Sequence, residues 1–96
     1  MLTHIVLVKC KPGTPEAELE RLLEGLRGLP PKIAEIRGYE VGRDMLHLPR
    51  SFDAALIGRF DDLDALKRYQ AHPEHVPLAD GLRAIAEQMV AVDWES

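Results

Sequence analysis

The chain has 96 residues, of which 46% are hydrophobic and 29% are charged, and it carries a formal net charge of −4 at pH 7. These values predict one compact globular domain over residues 1–96 and exclude a disordered chain, because the apolar fraction is ordinary and the net charge is small. The acidic balance argues against a nucleic-acid-binding protein, which normally presents a basic face.

The first half of the chain predicts a strand, a helix and a second strand. Aliphatic and β-branched residues fill Leu2–Lys9, as is typical of a strand. The helix is predicted to begin with Thr14 as its N-cap and Pro15 as its first residue. It carries leucines at i, i+3, i+4 and i+7, the apolar stripe of an amphipathic helix, and it ends at Gly28. Residues Tyr39–Arg43 predict a short second strand.

The second half predicts a loop, a central strand, two helices and a last strand. Asp44–Ser51 contains a proline and shows no clear period, which indicates a loop, whereas Phe52–Phe60 has the apolar density of a central strand. The pair Asp61-Asp62 predicts the N-terminus of the second helix. A third helix follows and is expected to turn Met89 inward at its end. The alternation of Met89–Glu95 predicts the last strand.

This order, β-α-β-β-α-β with an extra helix before the last strand, predicts an α+β ferredoxin-like fold: an antiparallel four-stranded sheet with helices on one face. The outward-facing residues of the first strand are either Thr3, Ile5 and Leu7 or His4, Val6 and Val8. Either set is largely apolar, and an uncovered apolar face of several hundred Å² is a liability in a monomer. We therefore predict a homodimer in which two such sheets pair face to face.

Cys10 is the only cysteine, so no internal disulfide forms and nothing requires an oxidising compartment. The apolar N-terminal stretch is too short for a signal peptide, and no apolar run reaches the ~20 residues that cross a bilayer. We therefore expect a cytoplasmic protein without membrane contact. Lys9 and Lys11 flank Cys10 and would lower its thiol pKa. Neighbours on a strand point to opposite faces, however, and we expect an ordinary surface thiol.

Two imidazoles and a phenol lie within seven residues: Tyr69, His72 and His75, at a helix interrupted by Pro73. Imidazole titrates near neutrality and can move a proton in either direction, and a nearby phenol can donate a hydrogen bond to a carbonyl or enolate oxygen. The alternative is that both histidines cap or pack the helix junction. For a His-x-x-His pattern without further support, that structural role is the more common one.

His4 interrupts the apolar first strand, where a ring costs burial energy unless its nitrogens find partners. Taken alone, it is best interpreted as a hydrogen-bonded core histidine. If the first strand runs beneath the helix junction, His4 reaches the same pocket as His72 and His75. Three imidazoles could also hold zinc. Because no cysteine or carboxylate lies at a recognisable ligand spacing, we expect no metal and no cofactor.

Several segments resemble the stress-responsive dimeric α/β-barrel (Dabb) family over almost the whole chain. They are His4-Ile5-Val6-Leu7, Lys11-Pro12-Gly13-Thr14, Tyr39-Glu40-Val41-Gly42, Phe52-Asp53-Ala54-Ala55-Leu56, Tyr69-Gln70-Ala71-His72-Pro73-Glu74-His75-Val76 and Val90-Ala91-Val92-Asp93-Trp94. The early strand histidine and the Tyr-x-x-His-Pro-x-His-Val segment are the most specific. The resemblance implies the ferredoxin-like fold and the pairing of two sheets into a dimeric barrel.

For function, the resemblance implies first a small stress-response protein with a His- and Tyr-lined pocket for an unidentified ligand. The second possibility is a cofactor-independent cyclase or lyase, because one similar plant protein cyclises a polyketide thioester. Matched by position to that enzyme, His75 would be the catalytic base and Tyr69 the assisting phenol. His4 and His72 would bind a small hydrophobic or polyketide-like substrate. The related monooxygenases are a lesser alternative, since their diagnostic Asn-Trp-His set requires an asparagine and this chain has none.

Geometry separates these possibilities. Convergence of the Tyr69 hydroxyl, His75 and His4 on one solvent-connected cavity would favour the enzyme. Side chains buried in separate hydrogen bonds would favour the structural role.

Overall fold

The computed structural model describes residues 1–96. Its elements, in chain order, are β1 (Leu2–Cys10), α1 (Glu16–Arg27), β2 (Gly38–Arg43), β3 (Ala54–Phe60), α2 (Leu63–Gln70), α3 (Val76–Ile85) and β4 (Ala86–Glu95). The strands form one antiparallel sheet in the order β2-β3-β1-β4. The predicted α+β ferredoxin-like fold is confirmed. None of the three helices is long and apolar enough to span a bilayer.

The core lies between the sheet and the helices, on one face of the sheet. The leucine stripe of α1 is buried there, together with Leu2 and Val8 of β1 and Phe60 of β3. Side chains alternate between the two faces of a strand, so the even-numbered residues of β1 face the helices. The odd-numbered residues therefore lie on the other face, which decides between the two alternatives that the sequence left open.

We call the face that no helix covers the open sheet face; its large apolar residues are Ile5, Leu7, Ile57, Val90, Val92 and Trp94. The antiparallel register places Val90 opposite Leu7 and Val92 opposite Ile5. Leu7, Val90, Val92 and Trp94 are between 38% and 54% exposed. A continuous apolar surface is thus left without a partner within the chain.

The predicted start of α1 is corrected by one residue. Pro15 occupies the N-cap position with extended backbone, and the helix begins at Glu16. The hydroxyl of Thr14 donates to the carbonyl of Lys11 at 2.7 Å, so it belongs to the turn and does not cap the helix. In α2, by contrast, the Asp62 carboxylate accepts from the Ala65 amide at 2.8 Å, and the predicted cap is confirmed.

The strand boundaries also differ from the prediction: β1 ends one residue later, at Cys10, β2 begins one residue earlier, at Gly38, and β3 and β4 differ by two and three residues at their starts. The last strand begins at Ala86, directly after α3, and Met89 turns toward the core from β4, where it pairs with Val8. The third strand begins at Ala54, and the carboxylate of the preceding residue, Asp53, accepts from the Cys10 amide at the end of β1 at 2.7 Å.

Cys10 is half-buried beside Asp53. Burial raises the pKa of the Cys10 thiol, and the neighbouring Asp53 carboxylate raises it further. This direction is opposite to the one that flanking lysines would produce, because Lys9 points to the other face of β1 and the amino group of Lys11 donates to the carbonyl of Ala84 at 3.1 Å. The thiol is therefore unreactive at neutral pH.

Candidate functional site

A cavity of about 600 Å³ lies between the helix-covered face of the sheet and the helices. Its walls are mostly aliphatic: Val6 and Val8 from β1, Leu23 and Leu26 from α1, and Leu82 from α3. Small-molecule sites span roughly 300–1,000 Å³ and are lined mainly by apolar side chains with a few polar groups. The cavity therefore has the size and the wall chemistry of a ligand site.

His4 is one of the polar groups in this wall, and it comes from the middle of the sheet. The register of β1 and β4 places it directly opposite Asp93, and Nδ1 of its ring is hydrogen-bonded to the Asp93 carboxylate. A carboxylate only accepts, so Nδ1 carries the proton and Nε2 is the nitrogen left for other contacts. This hydrogen bond offsets the free-energy cost of burying the polar ring.

His75 is the second imidazole in the wall, and it sits at the N-cap position of α3. Two amides, those of His75 and Val76, donate to the carbonyl of His72, which turns the chain between α2 and α3. Nδ1 of His75 is 3.2 Å from the carbonyl oxygen of Gln70. A carbonyl can only accept, so Nδ1 is the protonated nitrogen and the lone pair of the neutral ring is on Nε2.

Burial lowers the pKa of His75 below its ordinary value of 6.5. The hydrogen bond to the Gln70 carbonyl acts in the opposite direction, while the nearby Arg83 and His4 lower the pKa further. The ring is therefore neutral at pH 7 and is in the form that can accept a proton.

Tyr69 is fully buried and does not line the cavity. Its ring packs against His75, with 4.3 Å between the ring centroids, and against Phe60 at 4.8 Å. Its hydroxyl is hydrogen-bonded to the hydroxyl of Tyr39 at 2.6 Å. Burial raises the pKa of Tyr69 to about 12 and moves the pKa of Tyr39 in the same direction. The phenol thus supports His75 from behind, with its hydroxyl directed to β2.

His72 also lies outside the cavity. Its Nδ1 accepts from the amide of Glu74 at 3.1 Å, so the ring stabilises the turn between α2 and α3. Of the four side chains singled out in the sequence, the structure brings His4 and His75 together in one cavity, places Tyr69 behind His75 and leaves His72 in the turn. No group of three or more His, Cys, Asp or Glu side chains is arranged to hold a metal ion.

Three polar residues of the site were not found from the sequence: Gln70 and Arg83, which line the cavity, and Asp93, which is bonded to His4. Each had a detectable signal. Asp93 interrupts an apolar alternating strand, and its pairing with His4 follows from the strand register. Gln70 lies beside Tyr69, and Arg83 follows His75 at twice the i, i+4 helical spacing, which places both on one side of α3.

These features define a class of protein. It is a ferredoxin-like domain with an apolar cavity beneath its helices, two histidines in the cavity wall and one uncovered sheet face. The sequence matches the model of the family described as "Stress responsive A/B Barrel Domain" over residues 2–96. The chain therefore belongs to the stress-responsive A/B barrel domain family, and the resemblance drawn from its motifs is confirmed.

Individual relatives are similar to this chain over most of its length. An uncharacterised protein of Streptomyces coelicolor is 36% identical over 77 residues, which are 78% of this chain and 79% of that protein. A solved structure from Bacteroides fragilis, described as a dimeric protein of unknown function with a ferredoxin-like fold, is 37% identical with a TM-score of 0.87; the match covers 99% of this chain and 95% of that one.

A more distant structure is that of a hydroxynitrile lyase from Passiflora edulis, which is 17% identical with a TM-score of 0.83. The match covers 97% of this chain and 90% of the lyase. At this level of identity the similarity shows the fold alone.

Proposed function

We propose that the protein is a homodimer that binds a small, largely apolar molecule in the cavity between the sheet and the helices. The observation that carries this proposal is the placement of His4 and His75 in the wall of one otherwise mostly aliphatic cavity. Apolar walls supply binding energy by excluding water, and a few polar groups fix the orientation of the ligand.

The open sheet face supports the dimer. Its exposed apolar side chains belong to the long edge strand β4 and to its neighbour β1. Exposed edge strands and large apolar patches are prone to pair with another surface, and a second copy of the same face covers both. The Bacteroides structure, at 37% identity, is described as dimeric.

Filling the cavity tests ligand binding. Ala79 lines it from α3, so Ala79→Leu should occupy part of its volume and weaken the binding of 1-octanol, measured by isothermal titration calorimetry. Ala84→Leu on the same helix is the matched control, since Ala84 is exposed and does not line the cavity. Equal binding by the wild type and both variants, or no binding by the wild type, would contradict the proposal. Circular dichroism checks that both variants are folded.

A second candidate is a cofactor-independent cyclase or lyase with His75 as its general base. The hydrogen bond from Nδ1 to the Gln70 carbonyl favours it, because the neutral ring then carries its lone pair on Nε2. Nε2 would take a proton from a carbon next to a carbonyl group, and the electrons of that C–H bond would move onto the carbonyl oxygen as an enolate.

The developing oxygen charge needs a hydrogen-bond donor, and the polar wall offers one. The side-chain amide of Gln70, which lines the cavity, is a permanent donor. The Tyr69 hydroxyl is bonded to Tyr39, so we assign Tyr69 the role of a positioning residue that holds the His75 ring through packing.

Deuterium uptake by 2-octanone tests the second candidate, since this apolar ketone exchanges its α-protons slowly in buffer. The wild type should accelerate the uptake, followed by NMR in D2O, by about 10²-fold or more. His75→Ala should reduce the rate to that of buffer and leave the dimer intact. His72→Ala should retain the wild-type rate because His72 lies outside the cavity. Exchange at the buffer rate with the wild-type protein would contradict the enzymatic role.

A further inference from the structure

The permanent charge that lines the cavity is positive. Arg83 is the one permanently charged side chain that lines it, and no aspartate, glutamate or lysine does so. An arginine guanidinium is always protonated and offers five N–H donors in a planar fork that matches a carboxylate. A cavity with aliphatic walls and one such group is complementary to an apolar molecule with an anionic head.

The guanidinium of Arg83 is available to a ligand. Its hydrogen-bond partner is Asp80, one turn earlier on α3, at 3.0 Å from Nη1. The two side chains are 63% and 67% exposed, and a solvated pair of this kind contributes little to stability. Exchanging Asp80 for a ligand carboxylate therefore costs little.

Arg83 lies on the same side of α3 as the candidate base, His75. His75, Ala79 and Arg83 follow one another at four-residue intervals and all three line the cavity, so they lie along one side of α3. At a rise of 1.5 Å per residue, the Cα atoms of His75 and Arg83 are about 12 Å apart along the helix. A bound molecule of moderate length would extend from the guanidinium past the histidine into the apolar part of the cavity.

We propose that the ligand class of this site is the amphipathic monocarboxylate, with its carboxylate on Arg83 and its apolar chain between α3, α1 and the sheet. This inference rests on the proposed binding function and adds the specificity-determining residue. Asp80 competes with the ligand for the same guanidinium, so its removal should strengthen the binding of an anion.

Three probes that share a chain length and differ in charge test the inference: octanoate, 1-octanol and octylammonium. With the wild-type protein, titration calorimetry should give an affinity for octanoate on the order of tenfold above that for octanol, as a charge-assisted hydrogen bond provides. Octylammonium should bind more weakly than octanol. Octanol bound as tightly as octanoate would overturn the inference, and so would the absence of binding by all three probes.

The variants identify the residue. Arg83→Gln should lower the affinity for octanoate about tenfold more than the affinity for octanol and so remove the preference, whereas Asp80→Asn should increase the affinity for octanoate. Arg21→Gln is the matched control, because Arg21 forms the same i, i+3 pair with Glu18, is also 63% exposed and lies away from the cavity. Equal loss of octanoate and octanol in Arg83→Gln would mean that Arg83 acts on the cavity as a whole, and would overturn its role in specificity.

A second readout follows from the distance to His75. Arg83 is one of the charges that lower the pKa of His75, so a carboxylate bound to Arg83 should raise that pKa. An NMR titration of the His75 ring with and without octanoate measures the change. No change on saturation with octanoate would place the carboxylate elsewhere. The octanol experiment with Ala79→Leu tests the proposed binding function separately. Lack of the octanoate preference in the wild type, with normal octanol binding, would contradict only the inference about Arg83.

Discussion

His4 and Asp93 face each other across the neighbouring strands β1 and β4, and Nδ1 of the imidazole is hydrogen-bonded to the carboxylate. The ring is buried at the sheet surface, where an unpaired polar group costs about 1–3 kcal/mol. Asp93 therefore stabilises the fold and fixes which nitrogen of His4 is available to the cavity.

Asp93→Ala should lower the free energy of unfolding by about 1–3 kcal/mol, because it leaves the buried His4 ring without its partner. Urea denaturation at a fixed protomer concentration measures the change. Glu95→Ala is the control on the same strand, since Glu95 is exposed. Equal stability of the two variants would mean that the His4–Asp93 bond contributes nothing.

The architecture around this pair was predictable from the sequence because it depends on local patterns. The leucine stripe of α1, the cap at Asp62 and the order of strands and helices along the chain each follow from local sequence patterns, and all agree with the structure. The apolar character of the open sheet face was predictable for the same reason. The choice of outward residues on β1 needed the three-dimensional packing, and the first turn of α1 and the strand ends needed the hydrogen bonds that the structure shows.

The site was less predictable because its contacts join distant parts of the chain. His72 and His75 have similar sequence surroundings, yet one ring bonds within the turn and the other lines the cavity. The hydroxyl of Tyr69 is bonded to that of Tyr39, which lies on β2, 30 residues earlier in the chain. This contact determines where the Tyr69 hydroxyl points. No motif spacing carries that information.

Val92→Glu should disrupt the proposed dimer, since Val92 is the most exposed valine of the open sheet face and a buried unpaired charge costs several kcal/mol. Sedimentation at micromolar concentration should give a dimer mass for the wild type and a monomer mass for the variant. Val76→Glu is the control, because Val76 is exposed on α3, on the other side of the sheet. A monomeric wild type would contradict the dimer.

Tyr69→Phe separates two roles for this side chain. The substitution removes the hydroxyl and keeps the ring that packs on His75, so deuterium uptake by 2-octanone should stay within about twofold of the wild-type rate, whereas loss of an oxyanion donor costs roughly 10²–10³-fold. The remaining Tyr39 hydroxyl loses its partner, and stability should fall by about 1–3 kcal/mol. The double variant Tyr39→Phe/Tyr69→Phe should recover part of this loss, because no unpaired hydroxyl remains. A hundredfold loss of exchange in Tyr69→Phe would return the phenol to a catalytic role.

The lowered pKa of His75 predicts that both the stability of the protein and the rate of catalysed exchange rise with pH. Between the folded pKa and the ordinary value of 6.5, the unfolded chain binds more protons at this site than the folded one, so the free energy of unfolding rises with pH. This contribution is complete above pH 6.5 and is lost as the pH falls through the folded pKa. Exchange catalysed by the neutral ring should likewise rise with pH, with its midpoint below 6.5.

An NMR titration of the His75 ring gives the folded pKa directly, and urea denaturation between pH 5 and 8 gives the change in stability. His75→Gln should flatten this part of the stability curve. A midpoint for His75 above 6.5 would mean that the Gln70 hydrogen bond outweighs burial. The ring would then be substantially protonated near neutral pH, and a role as general base would require a higher working pH.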